Sequence, residues 1–191
     1  MKLRQIVIIA SALLLNVTAV ADNPVVKFET TAGDFTLELN QEKAPVTVEN
    51  FMGYVNDGYF EGTIFHRIIK DFMVQGGGFT VDFTDKPTRD PIAIESATGL
   101  TNDLGTVAMA RTSDPNSATA QFFINVKDND FLNYQSDAQP GYAVFGKVTE
   151  GMDVIMEMSL RPTGPGGKYK QFRDVPAVPV IIEKVTVVNA E

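Results

Sequence analysis

The stretch Phe65–Phe79, F-H-R-I-I-K-D-F-M-V-Q-G-G-G-F, decides how the chain is read. Its first nine residues carry five apolar side chains, Phe65, Ile68, Ile69, Phe72 and Met73, and three consecutive glycines follow at 76–78. Among them sit Arg67, Gln75 and His66, the only histidine of the protein. If Phe65–Ile69 is a strand, Arg67 shares a face with Phe65 and Ile69 while His66 points the other way, into the interior. A guanidinium is permanently charged and offers five donors. On an apolar face it either seals an ion pair or is held ready for a ligand.

Working outward, Val25–Thr30 and Asp34–Leu39 read as two strands around the turn Thr31-Ala32-Gly33. Ala44–Asn56 reads as a helix: Pro45 suits the first turn, where its missing N–H costs nothing, and Val48, Phe51, Met52 and Val55 make one apolar stripe. Further strands are expected at Ile92–Glu95, Thr106–Arg111, Gln121–Val126, Tyr142–Thr149 and Val178–Val188, with a short second helix at Gly151–Met158. In Gln121–Val126 the residues Gln121, Phe123 and Asn125 share one face, and Phe122, Ile124 and Val126 the other. Such a strand has a filled interior behind it and something to contact in front. Thr80–Pro91 and the proline- and glycine-rich Pro162–Pro179 read as surface loops. Eight short strands and two helices predict a mainly β fold, a closed eight-stranded antiparallel β-barrel capped by two α-helices. A barrel of about eight strands is filled by its own side chains, so any functional surface lies on the outer wall or rim.

Composition narrows the function. Hydrophobic residues at 44% and charged residues at 21% describe an ordinary globular chain, and the net charge of −8 argues against nucleic acid as a partner. There is no cysteine, hence no disulfide, thiol nucleophile or thiolate metal site. Residues 1–21 read as a signal peptide. Lys2 and Arg4 precede an apolar run, Ile6–Leu15, too short to span a bilayer comfortably, and Ala19-Val20-Ala21 is a small-x-small cleavage site. The expectation is export to a bacterial periplasm as a domain of residues 22–191, with no membrane association after cleavage. No long apolar stripe calls for a dimer, so a monomer is expected.

Several chemistries are excluded. One histidine without cysteine leaves no common zinc set. The glycines at 76–78 lack the Lys-Ser/Thr pair of a phosphate loop, and no G-x-S-x-G elbow exists. What remains is an apolar group (Phe72, Met73, Phe123, Phe131, Leu132) beside one cation, Arg67, and two neutral amides, Gln75 and Gln121. It can hold an apolar ring and donate hydrogen bonds to a peptide.

These residues carry a resemblance. F-H-R-I-I-x-x-F-M-V-Q-G-G-x-F resembles the signature of the cyclophilin peptidyl-prolyl isomerases. Gly105–Arg111 (G-T-V-A-M-A-R), Ala120–Asn125 (A-Q-F-F-I-N) and Tyr142–Val148 (Y-A-V-F-G-K-V) recur in the same order and at similar spacing. The likeness covers Val25 to Val188 and is greatest to the periplasmic bacterial branch. It implies that Arg67 is catalytic and that Phe72, Met73, Phe123 and Leu132 line a pocket for a proline ring. Gln75 and Gln121 would bind the substrate backbone together with main-chain groups at Ala110 and Arg111. Phe131 stands where eukaryotic members carry a pocket-edge tryptophan, and Tyr142 where they carry a histidine. The resemblance implies no cofactor and proline-containing, folding polypeptides as substrates. A non-catalytic proline-peptide binding module or periplasmic chaperone is the alternative, and Arg67 separates the two, since binding alone does not require it.

Overall fold

A computed structural model describes residues 23–166 and 172–188 of the chain. The signal-peptide reading of residues 1–21 lies outside the described residues, as do Lys168 and Lys170 of the late loop. Among the described residues, no helix is long and apolar enough to cross a membrane.

The strands are β1 (Val25–Thr30), β2 (Gly33–Leu39), β3 (Thr63–Ile69), β4 (Met73–Thr80), β5 (Thr106–Met109), β6 (Phe122–Asn125), β7 (Val144–Glu150), β8 (Thr163–Gly164), β9 (Val175–Pro176) and β10 (Ile182–Val188). Two helices, α1 (Pro45–Asn56) and α2 (Met152–Ser159), and a 3₁₀ turn at Asp130–Leu132 complete the set among the described residues. Eight strands form one antiparallel sheet in the order β10-β1-β2-β7-β5-β6-β4-β3, and β8 pairs with β9 alone. Pro45 opens α1, and Val48, Phe51 and Val55 of its stripe are buried. Gly151, at φ 76°, precedes α2 in the left-handed region that glycine enters freely.

The sheet curls around a core of stacked aromatics but does not close, which corrects the expected closed barrel. Its edge strands β3 and β10 meet at one isolated bridge, Ile64 to Ile181. Around it the Gly62 N–H donates to the Ile182 carbonyl (2.8 Å) and the Phe65 N–H to that of Val180 (2.9 Å). A continuous ladder would need donors from the approach to β10, and Pro176 and Pro179 have no N–H to give. Inside, Phe28 stacks on Phe35 at 4.9 Å, and Phe51 touches Phe145 at 4.9 Å and Phe122 at 5.6 Å. Every one of these rings is at most 1% exposed. Burying each contributes roughly 1.5–3 kcal/mol before ordering costs.

Two strand assignments change. Ile92–Glu95 forms no strand, its sheet-like pairing being a single bridge from Ile92 to Ala118, and the eighth strand of the sheet is β4, which contains the glycine run. The glycines are there because of contact. A Cβ on Gly76 would lie 2.9 Å from the Ile64 carbonyl oxygen, and one on Gly77 (φ +84°) 2.9 Å from the Phe122 ring. The expected surface loop at 162–179 also does more than cover. It contains β8 and β9, and the Asp174 carbonyl accepts from the Ile68 N–H at 2.8 Å, so this segment runs along β3.

A second apolar cluster sits apart from the main core. Met73, Ala108, Phe123, Leu132 and Val144 are buried together, with Ile69, Phe72, Leu100, Ala110 and Tyr142 packed on them. The alternation of β6 divides the two: Phe122, Ile124 and Val126 enter the main core and Phe123 the outer cluster.

Candidate active site

One cross-strand row builds the site. Arg67 on β3 pairs with Gln75 on β4, Gln75 with Phe123 on β6, Phe123 with Ala108 on β5, and Ala108 with Val144 on β7. Side chains in register on one face of a sheet stand about 4.5–5.5 Å apart. A cation, an amide and an aromatic ring, remote in sequence, therefore become neighbours on the outer wall.

Arg67 reaches that wall through a bulge. Between Phe65 and Arg67 the pairing with β4 advances by one residue only, from Gly76 to Gln75, so His66 is the unpaired extra residue. Strict alternation is broken there. Phe65 and Ile68 face the main core, while Arg67 turns outward and Ile69 packs on the outer cluster. This corrects two expectations: Arg67 does not share a face with Phe65, and His66 does not point into the barrel. The imidazole lies edge-on to Phe79 at 4.8 Å and to Phe172 at 6.3 Å, both only half-buried.

His66 is 5% exposed, and its Nδ1 has no hydrogen-bond partner among the described residues. Burial first, and the neighbouring Arg67 charge second, push its pKa down from 6.5 to about 4. Between those values the unfolded chain holds a proton that the folded chain does not. The stability linked to His66 is therefore full above pH 6.5 and falls as pH drops toward 4, by on the order of 3 kcal/mol. His66→Gln should remove that part of the acid sensitivity. Denaturant unfolding of both chains at neutral and acid pH measures it, and parallel curves would show that the ring is solvated.

The outward wall holds a cavity of about 180 Å³ lined by Arg67, Phe72, Met73, Gln75, Ala110, Arg111, Phe123, Leu132 and Tyr142. That is below the roughly 300–1,000 Å³ of sites for drug-sized ligands and suits a single small ring. Arg67 Nη1 donates to Gln75 Oε1 (3.4 Å), and Gln75 Nε2 donates to Gln121 Oε1 (3.1 Å). Gln121 thus belongs to the site through Gln75 and does not line the cavity. Phe131, 66% exposed, stacks on Phe72 at 5.7 Å and faces the adjoining groove that shares Arg111 and Tyr142 with the cavity. A larger cavity, about 280 Å³, opens elsewhere beside Glu38, Asp103 and Lys147, and no aromatic side chain lines it.

Arg67 is paired only loosely. Its Nε lies 3.9 Å from Asp174 Oδ2, and the two side chains are 42% and 43% exposed. An ion pair that long and that exposed contributes at most ~1 kcal/mol. Nη2 has no partner among the described residues. The guanidinium is steered toward the cavity rather than neutralised.

The sequence reading missed three things. Asp174 lies in a stretch with no periodicity to mark it. Arg111 uses its side chain, not only its backbone: Nε donates to the Gly141 carbonyl (3.0 Å), and the guanidinium lies 4.7 Å over the Tyr142 ring, which meets Phe123 edge-on at 5.5 Å. Behind the pocket, Asn102, Asn125 and Asn129 form a buried amide cluster. Among the described residues no group of three His, Cys, Asp or Glu side chains could hold a metal ion.

Residues 25–187 match the family model described as cyclophilin type peptidyl-prolyl cis-trans isomerase. The chain belongs to the cyclophilin family. It is a peptidyl-prolyl cis-trans isomerase. Among relatives, the peptidyl-prolyl cis-trans isomerase cyp18 of Streptomyces antibioticus is 55% identical over 166 residues, covering 86% of this chain and 98% of that protein. A peptidyl-prolyl cis-trans isomerase of Acinetobacter baylyi is 46% identical over 185 residues, 97% of this chain and 96% of the other. The fold is similar to that of a Cryptosporidium parvum cyclophilin type isomerase, solved in the presence of the dipeptide Ala-Pro. Its TM-score is 0.70 at 26% identity, over 87% of this chain and 99% of that one. This cyclophilin thus keeps the family's mainly β fold with two helices.

Proposed function

We propose that this isomerase works by electrostatic stabilisation of a twisted X-Pro amide, with Arg67 as the catalytic group and the 180 Å³ cavity as the proline pocket. The observation that carries the reading is a guanidinium, short of partners, at the edge of a cavity floored by Phe72, Met73, Phe123 and Leu132.

Resonance sets the rotation barrier of a peptide bond at ~18–20 kcal/mol, and uncatalysed X-Pro isomerisation takes roughly 10–100 s. No bond breaks, so the enzyme need only favour the twisted amide over both planar forms. When the amide twists, its nitrogen lone pair leaves conjugation and becomes an acceptor. Arg67 donates to it, and neither planar form offers that acceptor. The apolar walls exclude water and strengthen the bond. Gln75, with one amide N–H committed to Gln121, holds the guanidinium in the row, while Gln121 and the Ala110–Arg111 backbone bind the chain around the proline. Arg111 and Tyr142 close one wall, and Phe131 extends it.

A protease-coupled cis/trans assay on a short X-Pro peptide tests this reading. Turnover supports it, and binding without turnover would favour the peptide-binding module. Phe123→Ala should raise KM roughly ten-fold, the loss expected when about 1.4 kcal/mol of ring contact disappears, with a smaller effect on kcat. An unchanged KM would place the ring elsewhere.

The proposed setting is the periplasm, with unfolded or folding exported proteins as substrates and the mature enzyme acting as a monomer. Its support is the basic start, apolar run and Ala19-Val20-Ala21 of the N-terminus. Cleavage after Ala21 removes Lys2 and Arg4 and no acidic residue, taking the net charge from −8 to −10. The intact mass of the protein from a periplasmic fraction tests it, and a chain still beginning at Met1 would overturn it.

A further inference from the structure

Behind the pocket wall lie Asn102, Asn125 and Asn129, none more than 2% exposed. They bond to one another in a chain. Asn129 Nδ2 donates to Asn125 Oδ1 (2.8 Å), and Asn125 Nδ2 donates to Asn102 Oδ1 (3.2 Å) and to Thr106 Oγ1 (2.9 Å). The two ends of the chain reach outward to main-chain carbonyls. Asn129 Nδ2 donates to the Phe72 carbonyl at 2.9 Å, and Asn102 Nδ2 to that of Leu132 at 3.2 Å.

Phe72 and Leu132 both line the pocket and are carried by segments remote in sequence. Phe72 lies in the turn between β3 and β4, and Leu132 closes the 3₁₀ turn. Each carbonyl has one backbone donor as well, Val126 N–H for Phe72 (3.1 Å) and Tyr142 N–H for Leu132 (2.9 Å). Neither of those bonds ties the two segments to each other through one rigid unit; the asparagine chain does. A carboxamide supplies donors and acceptors at once without charge, so such a chain can be satisfied in a dry interior. Breaking one link leaves buried polar groups unpaired.

We propose that Asn129, backed by Asn125 and Asn102, is a positioning residue that fixes the spacing of Phe72 and Leu132 and with it the fit of the proline ring. The inference rests on the proposed reading of the cavity as the proline pocket. Asn129 touches no substrate and acts through Phe72.

The test uses the mature chain, a short X-Pro peptide, and KM and kcat measured separately. Asn129→Ala should raise KM roughly ten-fold and leave kcat within about two-fold, because the ring is misplaced while Arg67 is not. Asn129→Asp gives the reading that a merely structural role would not. The neutral acid keeps one O–H donor for Phe72 and the carboxylate keeps none, so its KM should rise from mildly acid to mildly alkaline pH while that of the unaltered chain stays level. Val26→Ala, a buried change in β1 remote from the pocket, controls for general destabilisation and should leave KM in place. If Asn129→Ala does not fold, the pH dependence of Asn129→Asp decides alone. Unaltered KM values in both Asn129 variants, beside an active parent, overturn the positioning role and leave the pocket reading standing. A parent with neither turnover nor proline-peptide shifts at the pocket by NMR overturns the pocket reading and this inference together.

Discussion

Arg67→Ala should lower kcat/KM by two or more orders of magnitude and leave the melting temperature nearly unchanged. The magnitude follows from what one donor can supply. Bringing a reaction of roughly 10–100 s to about a millisecond requires on the order of 10⁵-fold acceleration, or ~7 kcal/mol off the barrier. A hydrogen bond involving a charged group contributes ~1.5–3 kcal/mol net, somewhat more in a water-excluded site. On the proposed mechanism, Arg67 would supply roughly a third to a half of the acceleration. The remainder would fall to the pocket, by holding the ring still and keeping water from the twisted amide. Residual activity above the uncatalysed rate is expected in the alanine variant, and its loss would show that Arg67 also shapes the pocket.

Stability should hardly respond, because the pair to Asp174 is 3.9 Å long and both partners are about 40% exposed. Arg67→Lys recovers little. Arg67 Nη1 already engages Gln75 while Nη2 has no partner among the described residues, and a lysine ammonium does not reproduce that planar fork. Steady-state kinetics by the protease-coupled assay and thermal unfolding of the three proteins check the pair of statements. A fully active Arg67→Ala would end the catalytic assignment of the guanidinium.

The second large effect lies on stability. Gly77→Ala should cost about 2–5 kcal/mol, the sum of a left-handed backbone strain and an overpacking of the core. Gly77 sits at φ +84°, and an added Cβ would stand 2.9 Å from Phe122 Cε1 and 3.0 Å from Phe60 Cε1. Both rings are fully buried and locked by their neighbours: Phe60 and Phe122 lie 5.6 Å apart, edge to face. For a domain of this size a loss of that order lowers Tm by roughly 5–15 °C. Gly78→Ala makes the informative comparison. There the added Cβ would meet the flexible side chain of Gln121 at 2.5 Å, so the change displaces Gln121, the partner of Gln75, and is felt in the site more than in the fold. A Gly77→Ala protein that unfolds like its parent would show that β4 does not need the close approach for which its glycines were assigned.

That glycine run also marks where sequence reading stopped. Period-2 alternation is a local property, and it correctly divided Gln121–Val126 into an inner face and an outer one, because β6 is regular and paired on both sides. The same rule failed at Phe65–Ile69. One extra residue in β3, His66, shifts the phase, and no local pattern announces a bulge whose need arises from the partner strand. Glycine carries no apolar signal at all, so β4 went unseen and the weaker apolar run at Ile92–Glu95 took its place. The late loop hid Asp174 for the same reason: its position beside Arg67 is set by pairing with β3, not by anything periodic around it.

Residue type and short spacing are enough to read a mainly β fold with two helices, a candidate site of one cation beside neutral amides, and the residues that resemble the cyclophilin signature. Both are written locally. The tertiary structure alone decided that the sheet curls without closing, that a bulge turns Arg67 outward, and that β3, β4 and β6 bring Arg67, Gln75 and Phe123 into one row. Register between strands remote in sequence is settled by the packing of the whole core, and no stretch of the chain contains that information on its own.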